Sequence, residues 1–385
     1  MTYLDHNATT PVRPEVVDAM LPWLREGFGN PSSVYSLGQK ARAALERARE
    51  QVSGLIGASD PSEIVFTSCG SEADVLAIAG GAWQGHDESK GKRRKVVTSA
   101  IEHDAILLLG PQLRRRGFEV LEAGCGPDGV VAAAGMAALV DASTAVVSLM
   151  HANNETGVLQ PAAEMMAAAR AHGALAHVDA VQSLGKLSLD VESLGADLLS
   201  LSGHKVNAPK GVGALYVRRG VRLSPLVTGH QEKNRRGGTE NLASIVGLGL
   251  ACELAGRELS GASAHSLALR QKIEAGVLVL PGARLNGHPQ QRLPNTAHFS
   301  FEGLDGHHLV VALDLEGICV SSGPACSSGA STPSHVLTAM GVDSKLATGS
   351  LRVSVGWGTT DADVDRFLAV LPKAVERLRA LPAAL

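Results

Sequence analysis

Several short polar clusters in this chain hold side chains able to do covalent or proton-transfer chemistry. Lys205 stands in Leu201-Ser-Gly-His-Lys-Val-Asn, directly after an apolar run, beside His204 and close to glycines. A lysine at a strand end is desolvated, its pKa falls toward neutrality, and its amine can then form a Schiff base. A solvated lysine in a strand–loop–strand is the plainer reading of this segment alone, and Lys210 competes for the role. Asp179 ends the apolar run Ala-Leu-Ala-His-Val-Asp. A carboxylate there either caps a turn or points into a strand-end crevice, where it would keep a pyridine ring nitrogen protonated. Gln182, three residues on, could donate to a ring oxygen.

Ser68-Cys-Gly-Ser-Glu72 follows another apolar run and opens a helical pattern. Backbone N–H groups and a hydroxyl at a helix start suit a phosphate, although the same residues also spell an ordinary N-cap. His103 and Asn153-Asn-Glu155 follow two further apolar runs. The histidine could stack on a flat ring or shuttle protons; a structural histidine and a simple turn are the plainer readings. Cys326 lies among small residues in Ser321-Ser-Gly-Pro-Ala-Cys-Ser-Ser-Gly, unlike the apolar setting that makes a thiol inert. Arg352 sits inside the apolar strand Ser-Leu-Arg-Val-Ser-Val and calls for a buried anion, a bound carboxylate or a structural acid. No C-x-x-C, H-E-x-x-H or P-loop spacing occurs, and His307-His308 are adjacent and point apart, so no metal site is expected.

These clusters need a scaffold that gathers them. Strands are predicted at Ile64–Thr67, Val96–Ser99, Glu119–Glu122, Ala145–Met150, Leu175–Asp179, Asp197–Ser202 and Gly213–Val217. Helical patterns at Glu72–Gly80, Ala105–Arg116 and Ala162–His172 alternate with them, and Gly85–Lys95 reads as a polar surface loop. That alternation predicts an α/β layer with a mostly parallel sheet, whose ligands sit beyond the carboxyl ends of the strands. A long helix, Leu242–Leu278, leads to a smaller α+β unit with strands Thr296–Phe301, Ile318–Ser321 and Leu351–Val355 and a closing helix, Asp361–Arg379.

The 385 residues suffice for two to three domains. Lys+Arg 35 against Asp+Glu 38, with 3% aromatics, argues against nucleic acid or an anionic membrane as a partner. The apolar runs are too short for a membrane span, and the start lacks the pattern of a secretory signal. Five scattered cysteines predict no disulfide framework and a reducing, cytoplasmic setting.

Taken together, the chain resembles the cysteine desulfurases of the class V aminotransferase-like family, in the nitrogen-fixation and iron–sulfur-cluster assembly branch. The resemblance is carried by Tyr3-Leu-Asp-His-Asn-Ala-Thr-Thr-Pro11, Phe28-Gly-Asn-Pro-Ser32, Ser202-Gly-His-Lys205, Arg235-Arg-Gly-Gly-Thr-Glu-Asn241 and Ser321-Ser-Gly-Pro-Ala-Cys326. It implies a PLP-transferase fold of type I, with a large domain over 13–255 and a small domain built from 1–12 and 256–385. It also implies that Lys205 binds pyridoxal 5'-phosphate (PLP) covalently, Asp179 pairs with the ring nitrogen and Gln182 with the ring oxygen. His103 would stack on the ring, and Asn154 would lie near ring and substrate. Gly70, Ser71, Ser202 and His204 would hold the phosphate, and Thr239 would reach it from the other subunit of a homodimer with shared sites. Arg352 would clamp the carboxylate of L-cysteine. Cys326, the nucleophile, would take its sulfur as a persulfide for a scaffold protein that assembles iron–sulfur clusters. The stretch Ala325–Met340 is similar to the extended cysteine loop of that branch. Pro324 stands where the branch commonly has serine, and Cys69 where glycine is usual. Two other classes compete: a selenocysteine lyase or class V aminotransferase, which would not need Cys326, and a non-catalytic sulfur-relay scaffold.

Overall fold

A computed structural model describes residues 1–323 and 333–380. Cys326 and Pro324 lie outside the described residues. Among the described residues the chain forms twelve strands: β1 (Thr2–Tyr3), β2 (Ile64–Thr67), β3 (Lys95–Ser99), β4 (Glu119–Ala123), β5 (Thr144–Met150), β6 (Leu175–Asp179), β7 (Leu198–Ser202), β8 (Gly213–Val217), β9 (Ala283–Leu285), β10 (Thr296–Phe301), β11 (Ile318–Cys319) and β12 (Ser350–Ser354).

Seven strands make one sheet in the order β2-β8-β7-β6-β5-β3-β4. β4, β3, β5, β6 and β7 are parallel neighbours, and β8 runs against β7 and β2. β5 is buried at every residue, as expected of a parallel strand covered on both faces. The direction of the strands decides the site. Ser99, Met150, Asp179 and Ser202 end parallel strands and share one edge of the sheet. Thr67 reaches the same edge, because Thr67 and Ser202 both pair with Gly213.

The second layer is smaller. Strands β12-β10-β9 form an antiparallel sheet in which His298 pairs with Arg352, while β1 and β11 pair in parallel. From β1 the chain crosses this unit, His6 N–H bonding Ser354 O at 3.1 Å, and then enters the sheet-edge crevice. The helix Leu242–Leu278 touches both cores: Leu248 and Leu254 pack with the large sheet, Leu269 and Ile273 with Phe299, Phe301 and Phe367. Burying each of these aromatic rings stabilises the fold by roughly 1.5–3 kcal/mol.

Most predicted elements form within one or two residues of their expected bounds. The helix expected over Ala105–Arg116 is broken into Asp104–Leu107 and Gly110–Arg115, because Pro111 lacks the N–H that would continue the first helix. The helix beginning at Gly70 widens over Leu76–Gly80 and continues as Gly81–Glu88, so the first part of the expected Gly85–Lys95 loop is helical and Lys95 opens β3. β1 and β9 are too short to show a periodicity.

Candidate active site

The sheet edge opens into a cavity of about 410 Å³ that brings most of the predicted groups together. Lys205 ends the short turn Gly203–Lys205 after β7, and its Nζ donates to the carbonyls of Asn7 and, at 2.8 Å, Ala8. Burial, reinforced by the charge of Arg352, pushes this amine down to about 8, against the opposing pull of Asp5 and Asp179. Lys210 is exposed and does not line the cavity. The strand-end lysine is therefore Lys205.

Asp179, at the end of β6, is 6% exposed and accepts the Val181 N–H at 2.9 Å. Burial raises its pKa, while His103 and Lys205 oppose the rise. Asp74 lines the same cavity, and burial plus the nearby Asp179 push it well above the carboxylate range. Lys205 beside Asp179 favours the ionised form of that carboxylate. Gln182 donates to Asn7 O at 3.0 Å and accepts from Lys186 Nζ. Burial, with Lys205 and Arg352 nearby, holds Lys186 down to about 7.

The turn before Gly70 also lines the cavity. A Cβ on Gly70 would stand 2.9 Å from Val181 Cγ2 and 3.1 Å from Ser202 Cβ, so only glycine allows this approach. Ser202 is buried and its Oγ has no partner. Ser71 is exposed at the helix start, and His204 bonds Thr9 Oγ1 at 3.2 Å. Burial, then the neighbouring lysines, hold His204 down to about 4, so its imidazole is neutral. Cys69 has φ −170°, extended backbone open to any residue, and its thiol accepts the Glu72 N–H at 3.4 Å. Glycine is therefore not required there: the cysteine serves as an N-cap.

His103 caps Asp104–Leu107, its Nδ1 accepting the Ala105 N–H at 3.1 Å, and its exposed ring lines the cavity. Asn154 lines it too, with its Oδ1 buried and unpartnered. The remaining wall comes from the small unit. Arg352, 4% exposed, pairs with Asp5 at 2.8 Å and donates to Asn154 O at 3.0 Å. The expected anion is thus partly a structural acid, yet Arg352 Nε has no partner and can still meet a carboxylate. Thr239 is exposed and is not among the residues lining this cavity.

Sequence patterns missed Asp5, Asn7, Asp74 and Lys186. Asp74 and Lys186 sit at helical or turn positions with no motif of their own. The Asn7 carbonyl is a backbone group that no residue type announces. A larger cavity, about 570 Å³, lies on the other side of Lys205 between Arg13, Trp357 and His265. It shares Lys205 but none of Asp179, Ser202, Gly70 and Arg352, so the chemistry belongs to the smaller one. Among the described residues, no group of His, Cys, Asp and Glu could hold a metal ion, and no helix is long and apolar enough to cross a membrane.

A family profile, aminotransferase class V, matches residues 2–367. The chain is 45% identical to a cysteine desulfurase of Trichormus azollae over 381 residues, 98% of this chain and 94% of the relative. It is 46% identical to cysteine desulfurase IscS of Methanosarcina thermophila, covering 98% and 92%. Its structure superposes on that of a NifS-like protein with TM-score 0.90 at 38% identity, covering 99% of this chain and 100% of the other. The chain belongs to the class V aminotransferase family, a family of enzymes that depend on PLP. The crevice fits that cofactor on its own evidence. It offers an orphaned hydroxyl at Ser202, a glycine cradle at Gly70, an acid at Asp179 for a ring nitrogen and a lysine amine lowered toward neutrality.

Proposed function

We propose that this chain is a cysteine desulfurase that converts L-cysteine to L-alanine and leaves the sulfur as a persulfide on Cys326. The observation that carries the reading is Lys205, held down to about 8, in one cavity with Asp179 and Arg352. PLP, bound to Lys205 Nζ, supplies an electron sink for the bond changes at the substrate. Ser202 Oγ, the Gly70 and Ser71 amides and His204 would hold its phosphate. Asp179 would keep the ring nitrogen protonated, Gln182 would face the ring oxygen, and His103 would lie on the ring.

The rest is the work of side chains. Arg352 Nε and Asn154 Oδ1, both without partners, would receive the substrate carboxylate and amine. Lys205 Nζ would take the proton from the substrate Cα. The Cys326 thiolate then bonds to the substrate sulfur as the Cβ–S bond breaks, and the carbon skeleton takes up protons to leave as alanine. L-Cysteine and one thiol thus become L-alanine and one persulfide. Gly323 lines the cavity three residues before Cys326, within reach of roughly 10 Å of chain.

The division into a large domain, 13–255, and a small domain of 1–12 and 256–385 is supported in part by the two cores that meet along Leu242–Leu278, but Val336, Leu337, Met340 and Ala347 pack in the large one. We further infer a cytoplasmic homodimer in which the exposed Thr239 reaches the partner's phosphate site. The sulfur goes to a scaffold for iron–sulfur clusters, that of nitrogenase included, a reading supported by the relatives named IscS and NifS. One experiment tests the core of this reading. Cys326→Ala should abolish sulfide and alanine release from cysteine while the yellow absorbance of bound cofactor persists. Release at the wild-type rate would instead point to a lyase or aminotransferase that needs no thiol.

A further inference from the structure

We propose that Lys186 is a positioning residue for the cofactor, holding the side-chain amide of Gln182 so that its N–H end is turned to the ring oxygen. The inference rests on the reading of Gln182 as the partner of that oxygen, and not on the fate of the sulfur.

Lys186 follows a tight turn. Leu184 N–H bonds Ala180 O at 3.0 Å, and Lys186 N–H bonds Ser183 O at 3.0 Å. Gly185 has φ +70°, and a Cβ there would stand 2.7 Å from Val206 Cγ2, so only glycine lets the chain turn at this point. The Lys186 amine then returns to Gln182, four residues earlier. Its Nζ donates to the Gln182 carbonyl at 2.9 Å and to Oε1 at 3.0 Å. Gln182 is buried, and its Nε2 donates to Asn7 O at 3.0 Å.

These bonds decide which way the amide points. A primary amide has an oxygen that accepts and a nitrogen with two N–H groups. Reversed, its oxygen would face the Asn7 carbonyl, acceptor against acceptor, and its nitrogen would face the N–H groups of the lysine. With Oε1 on Lys186 and one N–H on Asn7 O, the second N–H of Nε2 remains for the ring oxygen of PLP. Gln182 lines the smaller cavity, whereas Lys186 lines only the larger one of about 570 Å³. The amine therefore reaches Gln182 from behind and touches neither cofactor nor substrate.

Charge pairing does not explain this amine. The charges that bear on it are those of Lys205, on the turn after β7, and Arg352, on β12; both are cations, and they add to the burial that disfavours its ammonium form. Lys186 in turn adds to the burial that holds the His6 imidazole neutral. Keeping an amine from water beside cations is costly. Its N–H groups supply the reason: an ammonium has three and a neutral amine two, enough for both Gln182 oxygens in either state. A donor at the ring oxygen draws charge from the ring, so the linked Lys205 nitrogen holds its proton less tightly. Lys205 is also faced by Arg352, Asp5, Asp179 and the neutral His204, none of which the variants below alter.

The test compares Lys186→Met, Gln182→Ala and the double variant with the wild-type chain. The apoprotein of each is titrated with PLP, and the visible absorbance of the loaded protein is followed against pH. Lys186→Met, nearly equal in size, should weaken PLP binding about tenfold and raise the pH midpoint of that absorbance by about one unit. The melting temperature of the apoprotein should not fall, because the amine removed sits beside two cations. Lys186→Arg keeps N–H donors and has the larger cavity to extend into, so it should retain most of the wild-type binding and midpoint. In the Gln182→Ala background, Lys186→Met should change neither, since the amide through which it acts is gone. A shift of full size in that background would overturn the proposal, because it would mark a direct effect of charge. So would wild-type binding and midpoint in Lys186→Met, or a fall in melting temperature that parallels the weaker binding. Gln182→Ala with wild-type binding and midpoint would instead overturn the reading of Gln182 itself.

Discussion

The two walls of the crevice are built in different ways. The large-sheet wall takes its groups from strand ends: Asp179 closes β6, Ser202 closes β7 with Lys205 just beyond it, and Gly70 follows β2. Each is placed by its own strand. The small-unit wall is assembled across the chain: Arg352 on Asp5, Asn7 on Thr296 and Asn295. The first wall is a rigid edge on which covalent chemistry can be pre-organised. The second is a network of long-range polar contacts suited to recognising the substrate. Local placement gives precision to the cofactor, and distant pairing lets a second unit close over it.

Breaking the first wall should cost the most. Lys205→Ala is expected to lower turnover of cysteine at least about 10³-fold, because it removes both the covalent anchor and the base. Steady-state alanine release measures it. A variant with near wild-type turnover would mean that the strand-end wall does not hold the chemistry.

The second wall should fail differently. Arg352→Lys keeps the charge but loses the planar fork that fits a carboxylate and the bond to Asp5. KM for cysteine should rise about 10–100-fold with a smaller change in kcat. A fall in kcat alone, with KM intact, would erase the contrast between a chemical wall and a recognition wall.

The smallest effect on turnover is expected at Glu102, beneath His103, where the contrast is sharpened by stability. Burial pushes its carboxyl up to about 8, although Ser99 Oγ and Met150 N–H oppose the shift. The folded chain then keeps a proton that the unfolded chain releases near pH 4.5. This group's contribution is fully present below about pH 4.5 and is lost as pH rises through about 8. Glu102→Gln should therefore flatten the pH dependence and raise stability at pH 8 relative to wild type by about 1–3 kcal/mol. Urea unfolding at pH 5 and pH 8 measures it; an unchanged slope would show that the buried acid is already ionised.

Much of the first wall was legible in the residues alone. The apolar runs ending in Asp179 and Ser202 signal buried parallel strands, and a polar residue at such an end has one place to go. The helix start at Gly70 was equally readable, whereas its thiol cap was not, since a cysteine so rarely takes that part. The break at Pro111 carries a plain chemical signal that the helical periodicity masked. The second wall was only half legible. Arg352 in an apolar strand announced a buried anion, but nothing local said whether that anion is Asp5 or a ligand.

The order of residue types along the chain set the strand–helix alternation, the edge where the chemistry gathers and the lysine that leads it. Those depend on interactions between near neighbours, which hydrophobic pattern and turn chemistry encode directly. Only the folded chain decided that Asp74 is buried near Asp179, that the Asn7 carbonyl receives Lys205 and that Glu155 receives Ser334. These pairings join residues tens to hundreds of positions apart, and burial sets their strength. Neither distance in space nor exclusion of water is written in the spacing of residues.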